Sequence, residues 1–255
     1  MRPGSLCRFP AARPVSPMPD NAHVRGLLRR LLPPRPFVLN PREEIGAPMG
    51  RWNLYVGGAG CHPDGFVNID IRLGTGVDVV ADAHRLPFPD ATFRRVECDA
   101  VLEHVADPGR VMRELERVTE PGGVVHVVVP FCHPFHQYPH DLHRFTPDGL
   151  RLLAGGMELV AEGWRTGPAA TWLVITLEFV KLLLPWRWWR VLAHGLIGWL
   201  LFPVRYLDLL LLGSPHAHRI GNHCYAWFRK PGPTLAAPSP AATERKAEGR
   251  RNPAV

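Results

Sequence analysis

Residues 81–131, ADAHRLPFPDATFRRVECDAVLEHVADPGRVMRELERVTEPGGVVHVVVPF, hold a complete strand–helix–strand unit. Arg95–Asp99 opens a strand. Asp107 then stands before Pro108, a residue suited to the first helical turn, and Val111, Met112, Leu115 and Val118 recur on one helical face. Pro121-Gly122-Gly123 stops that helix. Val124–Val129 (VVHVVV) is an almost unbroken β-branched run, the pattern of a parallel strand covered on both faces.

Working outward, Asn53–Val56 is a short apolar run that ends in Gly57-Gly58-Ala59-Gly60, which predicts a strand and then a glycine loop. Phe66–Ile71 and Val77–Ala81 predict two more strands, the first carrying Asp70 and the second followed by Asp82. Downstream, Thr146 caps a helix to about Ala154, and Glu158–Arg165 and Cys224–Arg229 read as the last strands. The alternation predicts an α/β, doubly wound, mostly parallel sheet. Ligands of such sheets lie beyond the C-terminal strand ends, where the glycine loop, Asp70 and Asp82 would meet.

VGGAG, FVNID, ADAHRLPFPDATF and VLEHVADPGRVMRELERVTEPGGVVHVVVPF, in that order, resemble class I S-adenosylmethionine-dependent methyltransferases, in particular the group described as methyltransferase type 11. The resemblance covers roughly residues 52–165 plus the strand at 222–229. It implies a Rossmann-like fold, S-adenosyl-L-methionine as cofactor and methyl transfer as the activity. It also implies roles. Gly57, Gly58, Ala59 and Gly60 would let the backbone approach the cofactor, Asp70 with Ile71 would hold the ribose, and Asp82 and Ala83 would flank the adenine. Asp99, Ala100 and Val101 would face the methionine part. Two departures stand out. Leu54, Tyr55 and Val56 occupy the place where the family usually carries an acid before its first glycine. Nine residues separate Gly60 from Asp70, too few for an ordinary crossover, so the first helix should be absent or nearly so.

Methyl transfer from a sulfonium asks mainly for positioning, and a base only when the acceptor holds its proton tightly, as a sugar hydroxyl does. The loop PFCHPFHQYPHDLHRFTPDG is the place to look for that base. His136 or His140 would act, oriented by Asp141, with Arg144 binding an anionic acceptor or closing the loop. Loop histidines without chemistry remain the plain alternative. A metal reading of His133, His136, His140 and His143 meets Pro134 and Pro139, which break any simple helical face, and finds no thiolate pair, so no metal ligand is assigned. His104 reads as a supporting or helix-start residue. Five scattered cysteines without a CxxC pair argue against a disulfide framework or a zinc knuckle.

Residues 168–212 depart from a minimal domain of this kind. They carry five of the eight tryptophans (Trp172, Trp186, Trp188, Trp189 and Trp199) in an apolar helical insert before the last strand. The charge-free run 191–204 is shorter than the ~20 apolar residues of a spanning helix. Trp interleaved with Arg suits a membrane surface instead, with burial on the sheet or in a dimer as the alternative. Net charge is +7, but nine Arg against three acids within residues 1–51, and six basic residues against two acids within 229–255, place it in the tails. That argues against a nucleic-acid cleft in the body. The expected organisation is a disordered basic arm (1–50) without a secretory signal, a methyltransferase domain (51–230) and a disordered tail (231–255). The expected location is cytoplasmic, peripheral at the inner face of a membrane. The acceptor would be a small molecule, lipid or glycan. A non-catalytic binding protein of the same fold, docked to a membrane or partner enzyme, is the rival reading.

Overall fold

The computed structural model describes residues 33, 35–41, 43, 48–58, 63–137 and 139–232. Seven strands form one sheet in the order β3-β2-β1-β4-β5-β7-β6. They are β1 (Asn53–Val56), β2 (Val67–Asp70), β3 (Val79–Val80), β4 (Phe93–Asp99), β5 (Thr119–Pro130), β6 (Glu158–Thr166) and β7 (His223–Arg229). All pairs are parallel except those of β7, which runs antiparallel to both β5 and β6. The order reverses at β1 and β4, and the strand ends beside that switch carry Gly57, Asp70 and Ala100.

The helices follow their sequence signals. α1 (Pro108–Val118) starts where the Asp107 carboxylate accepts from the Arg110 N–H at 2.8 Å, and it buries Val111, Met112, Leu115 and Val118. α2 (Pro147–Leu153) starts where Thr146 Oγ1 accepts from the Gly149 N–H at 3.0 Å. Both pack on one sheet face, against Leu54, Val56, Val96, Cys98, Val125, Val127, Ala226 and Phe228. Arg117 ties α1 to the LPFPD segment, its guanidinium donating to the Leu86 and Phe88 carbonyls at 3.0 and 2.8 Å and to Asp90 at 2.8 Å. The first crossover lacks a helix among its described residues, as its length requires, and no helix lies between β2 and β3 or between β3 and β4.

The valine run is buried on both faces, as expected of a doubly covered strand, but the second face is polar. There Asn53, Tyr55, Arg95, Glu97, His126 and Trp227 lie across β1, β4, β5 and β7 as a polar layer. His126 is clamped between two carboxylates, Nδ1 2.5 Å from Glu97 and Nε2 3.2 Å from Glu43, and stacks on Trp227 at 4.1 Å. Burial works against its charge, but the two carboxylates prevail and hold its pKa above the usual imidazole value. Glu43 also receives Arg165, at 2.7 Å. Asn40 adds a pair of bonds, its N–H donating to Arg165 O and its Nδ2 to Trp164 O, each at 2.8 Å. So Asn40 and Glu43, both in the stretch expected as a basic arm, are buried and bonded to residues of β6. Residues 1–32, 34, 42 and 44–47 of the expected arm, and the tail from residue 233, lie outside the described residues.

Between β6 and β7 the chain makes a helical excursion: α3 (Pro168–Leu182), α4 (Arg187–Leu201), a 3-10 stretch (Phe202–Leu207) and α5 (Asp208–Leu211). Asp208, which in sequence only interrupts an apolar segment, is fully buried. Its carboxylate accepts from the N–H groups of Gly167, Ala169 and Ala170 at 3.2, 2.8 and 3.0 Å, capping α3 from a distant point in the chain. The run Arg187–Leu211 is continuous enough to alter the length argument. It spans 25 residues with mean hydropathy 1.2 in its apolar window, 11% of it buried, and by length and composition it is long enough to cross a membrane.

Candidate active site

A cavity of about 520 Å³ opens at the C-terminal edge of the sheet, within the usual size range of small-molecule sites. Gly57, Asp70, Ile71, Asp82, Ala83, Ala100, His104 and His140 are among the residues that line it, with an apolar floor from Val56, Ile69, Val101 and Val105. β1 delivers Gly57, whose φ of +85° needs glycine and whose missing Cβ would lie 2.2 Å from Val101 Cγ2. Gly58 is packed against Asn68, a Cβ there falling 1.8 Å from Oδ1, while Asn68 Nδ2 donates to the Gly58 carbonyl at 3.0 Å. β2 delivers Asp70, with Oδ1 accepting from the Arg72 N–H at 2.9 Å. Asp82 accepts from the His84 N–H at 2.9 Å and faces the His84 ring at 2.7 Å. Burial raises the Asp82 pKa, and these His84 bonds overcome it and hold the carboxyl below its ordinary value. Ala100 adopts φ +53°, a left-handed turn that carries the chain from β4 around the cavity rim.

Seven of the expected cofactor residues therefore meet in the structure: Gly57, Gly58, Asp70, Ile71, Asp82, Ala83 and Ala100, all but Gly58 lining the cavity. Ala59 and Gly60 lie outside the described residues. Asp99 is not in the cavity wall. Its odd-numbered place in β4 puts it on the polar sheet face with Arg95 and Glu97, where its carboxylate pairs with Arg165 and accepts from Tyr55 Oη at 3.3 Å. The residues present fit the adenosine half of S-adenosylmethionine: a carboxylate for ribose hydroxyls beside an apolar slot closed by Asp82 and Ala83.

The loop after β5 folds over the same edge. Its anchor is Glu103, in the 3-10 turn Leu102–His104, whose backbone carbonyl accepts from the N–H groups of Leu142 and His143 at 2.7 and 3.2 Å. Asp141 is bound by Arg144, at 2.5 and 2.7 Å, and by the His136 N–H at 2.8 Å. Arg144 leads the causes that hold the Asp141 pKa down to about 2. The expected pairing of Asp141 with His136 is looser, Nδ1 to Oδ2 being 3.6 Å. His140 lines the cavity, and its backbone carbonyl is 2.5 Å from His104 Nδ1. His133 reaches Asn222, just before β7, at 3.0 Å. Sequence reasoning passed over Glu103. Its side chain is fully buried, and burial, aided by Asp99 and Asp141, pushes its carboxyl up to about 7. An acid that follows a strand end and directly precedes His104 was the available signal.

Residues 66–127 match the family model described as a methyltransferase domain. A 58-residue stretch is 45% identical to an uncharacterized methyltransferase of Schizosaccharomyces pombe, covering 23% of this chain and 18% of that one. A 71-residue stretch is 38% identical to a demethylmenaquinone methyltransferase of Renibacterium salmoninarum, covering 28% and 30%. The chain thus spans less than a third of the length of either relative. Among solved structures, the [4+2]-cyclase SpnF is similar over 72% of this chain and 76% of its own, at 20% identity and TM-score 0.46. A 1,6-didemethyltoxoflavin-N1-methyltransferase of Burkholderia thailandensis is similar over 86% and 94%, at 12% identity and TM-score 0.43.

Proposed function

We propose that this chain, a class I methyltransferase by its sheet order and its methyltransferase-domain segment, transfers a methyl group from S-adenosylmethionine to an oxygen acceptor at a membrane surface. The observation that carries the first half is the cavity at the switch point of the sheet, with Asp70 on one side and Asp82-Ala83 on the other. Bound there, the cofactor supplies a methyl group already activated on a sulfonium. The chain has to position it, keep water out and accept a proton. Asp70 would hold the ribose, Asp82 and Ala83 the adenine, and Gly57 and Ala100 would border the methionine end. His136 or His140 would receive the acceptor's proton.

Titration of the purified protein with S-adenosylmethionine in a calorimeter tests this. Asp70→Ala should lose ribose hydrogen bonds and weaken binding by ~1–3 kcal/mol. Absence of any heat or thermal shift at millimolar cofactor ends the reading.

The acceptor class rests on the excursion. It leaves the sheet after β6, at the same edge as the cavity, and exposes Trp172, Phe179, Leu182, Trp186, Trp188, Leu196 and Leu200 by 45% or more. Apolar area on this scale, flanked by Arg187 and Arg190, suits the boundary between head groups and acyl chains. Although Arg187–Leu211 has the length of a span, its end is fastened to α3 through Asp208, so an in-plane position at the inner face of a membrane fits better. The acceptor would then be a lipid head group or lipid-linked glycan, reached without leaving the bilayer. Replacing Trp186, Trp188 and Trp189 with Ser should release the protein from anionic liposomes while cofactor affinity holds. A native protein that ignores such liposomes would point to a soluble acceptor.

A non-catalytic binding protein is the second reading. It is favoured by the lack of an acid before Gly57 and by Asp99 turning to Arg165. Incubation with radiolabelled cofactor and a membrane fraction separates the two, since any labelled product that depends on His136 and His140 excludes it.

A further inference from the structure

We propose that Glu103, His104 and His136 form a binding site for one divalent transition-metal ion beside the cavity, which His104 lines. Glu103 is fully buried, and among the described residues neither of its carboxylate oxygens has a hydrogen-bond partner. A carboxylate in that position is costly unless something satisfies it. The groups facing Oε1 are His104 Nε2 and His136 Nε2, each at 3.7 Å. The three ligand atoms lie within 4.8 Å of one another.

The tautomers decide what this cluster can hold. His104 Nδ1 sits 2.5 Å from the His140 carbonyl, which only accepts, so the ring proton is on Nδ1 and Nε2 presents a lone pair. His136 Nδ1 lies 3.3 Å from the Pro134 carbonyl and 3.6 Å from the Asp141 carboxylate, again acceptors only, which leaves its Nε2 lone pair facing Glu103. The two imidazole nitrogens and Glu103 Oε1 thus converge as three potential ligand atoms. Protonated imidazoles bonded directly to Glu103 would close to ~2.7–2.9 Å. A separation of 3.7 Å is too long for such a bond and close to the ~3.4 Å edge of a tetrahedron whose ligands stand ~2.0–2.2 Å from a central ion.

The supporting contacts are those that histidine ligands use. One imidazole is steered by a backbone carbonyl, and the other lies beside a carboxylate that is itself held by Arg144. Two histidines and a carboxylate suit zinc and its neighbours in the first transition row. Three protein ligands leave a position open, and His104, which borders the cavity, places the ion beside the space where a bound acceptor would lie. Here the inference rests on the proposed methyl transfer. The acceptor oxygen would coordinate the ion, which lowers its pKa, and its proton would pass to the ring of His140. That oxygen would then form its bond to the methyl carbon as the carbon–sulfur bond breaks, leaving a neutral thioether. His136, its Nε2 committed to the ion, drops out as the base.

The full-length protein, stripped with EDTA and dialysed, should take up one equivalent of Co2+ with a visible ligand-field band, and Zn2+ should displace it. His136→Ala, on a half-exposed loop, and Glu103→Gln should each weaken Co2+ at least ~10–100-fold. His218→Ala, on an exposed turn elsewhere, should not. Absence of the band, or a band that survives both His136→Ala and Glu103→Gln, overturns the site. Cofactor titration of the stripped protein reads the methyltransferase proposal separately. Binding of S-adenosylmethionine without Co2+ uptake removes the metal alone, and the reverse removes the methyl-transfer reading alone.

Discussion

Removing the Asp208 carboxylate should loosen the whole excursion from the sheet. Asp208→Ala strands three N–H groups at the start of α3, in a place closed to water. Hydrogen bonds to a charged group contribute ~1.5–3 kcal/mol each, so three set a gross loss of several kcal/mol. The alanine also removes the cost of burying a carboxylate, itself several kcal/mol, which offsets part of that loss. The expected net destabilisation is ~2–4 kcal/mol, or a fall in Tm of ~4–16 °C for a domain of this size. Asp208→Asn keeps one acceptor oxygen and should lose about half as much. Urea unfolding of the three proteins, with m compared to confirm a common unfolded state, measures this. Limited proteolysis should cut first within residues 168–212 of the alanine variant. If Asp208→Ala falls within ~0.5 kcal/mol of the parent, the range of an ordinary surface change, the trans cap has no energetic role and the reasoning fails.

Gly57→Ala places a Cβ 2.2 Å from Val101 at φ +85°, and should lower stability by ~1–3 kcal/mol and abolish cofactor binding, read by thermal shift and calorimetry. Arg117→Lys cannot keep the fork that holds Leu86, Phe88 and Asp90, and should cost ~1–3 kcal/mol in chemical denaturation despite its preserved charge. The His126 pKa is raised, so its stabilisation is complete below ~6.5 and is lost as pH climbs through the raised value. Glu43, whose pKa is lowered by His126 and Arg165 against the effect of burial, stabilises above ~4.5 and loses that on acidification. Urea midpoints should therefore fall on both sides of that window. Glu43→Gln should flatten both flanks, and an unchanged alkaline slope would disprove the coupling.

How much of this was legible in the sequence depends on distance along the chain. α1 and α2 could be placed because their caps, Asp107 and Thr146, act within three residues of themselves. The lack of a helix among the described residues of the first crossover followed from counting residues. Strand ends differ by a residue or two, and β5 begins at Thr119, well before the valine run, because its first residue pairs with Phe93. Non-local partners stayed hidden. His126 among valines looks like an interruption in an apolar strand, and nothing nearby says that Glu43 and Glu97 close on it. Asp99 had a role by position in a motif, but strand parity and Arg165 turn it to the other face. Asp70, Asp82 and Ala100 came out in the cavity wall because strand ends in a parallel sheet converge by topology alone. Glu103 did not stand out, since its isolation from hydrogen-bond donors exists only after the loop has folded over it.

The Asn222 N–H donates to the Thr166 carbonyl at 3.0 Å, so β6 ends where β7 begins. Everything from Gly167 to Gly221 departs from and returns to a single point. The sheet therefore needs nothing from that stretch for its connectivity, and a tight turn could join the two strands in register. The excursion is thus an insertion in the topological sense: its length and composition can change without altering the order of the strands or the convergence of Gly57, Asp70 and Asp82 at the cavity.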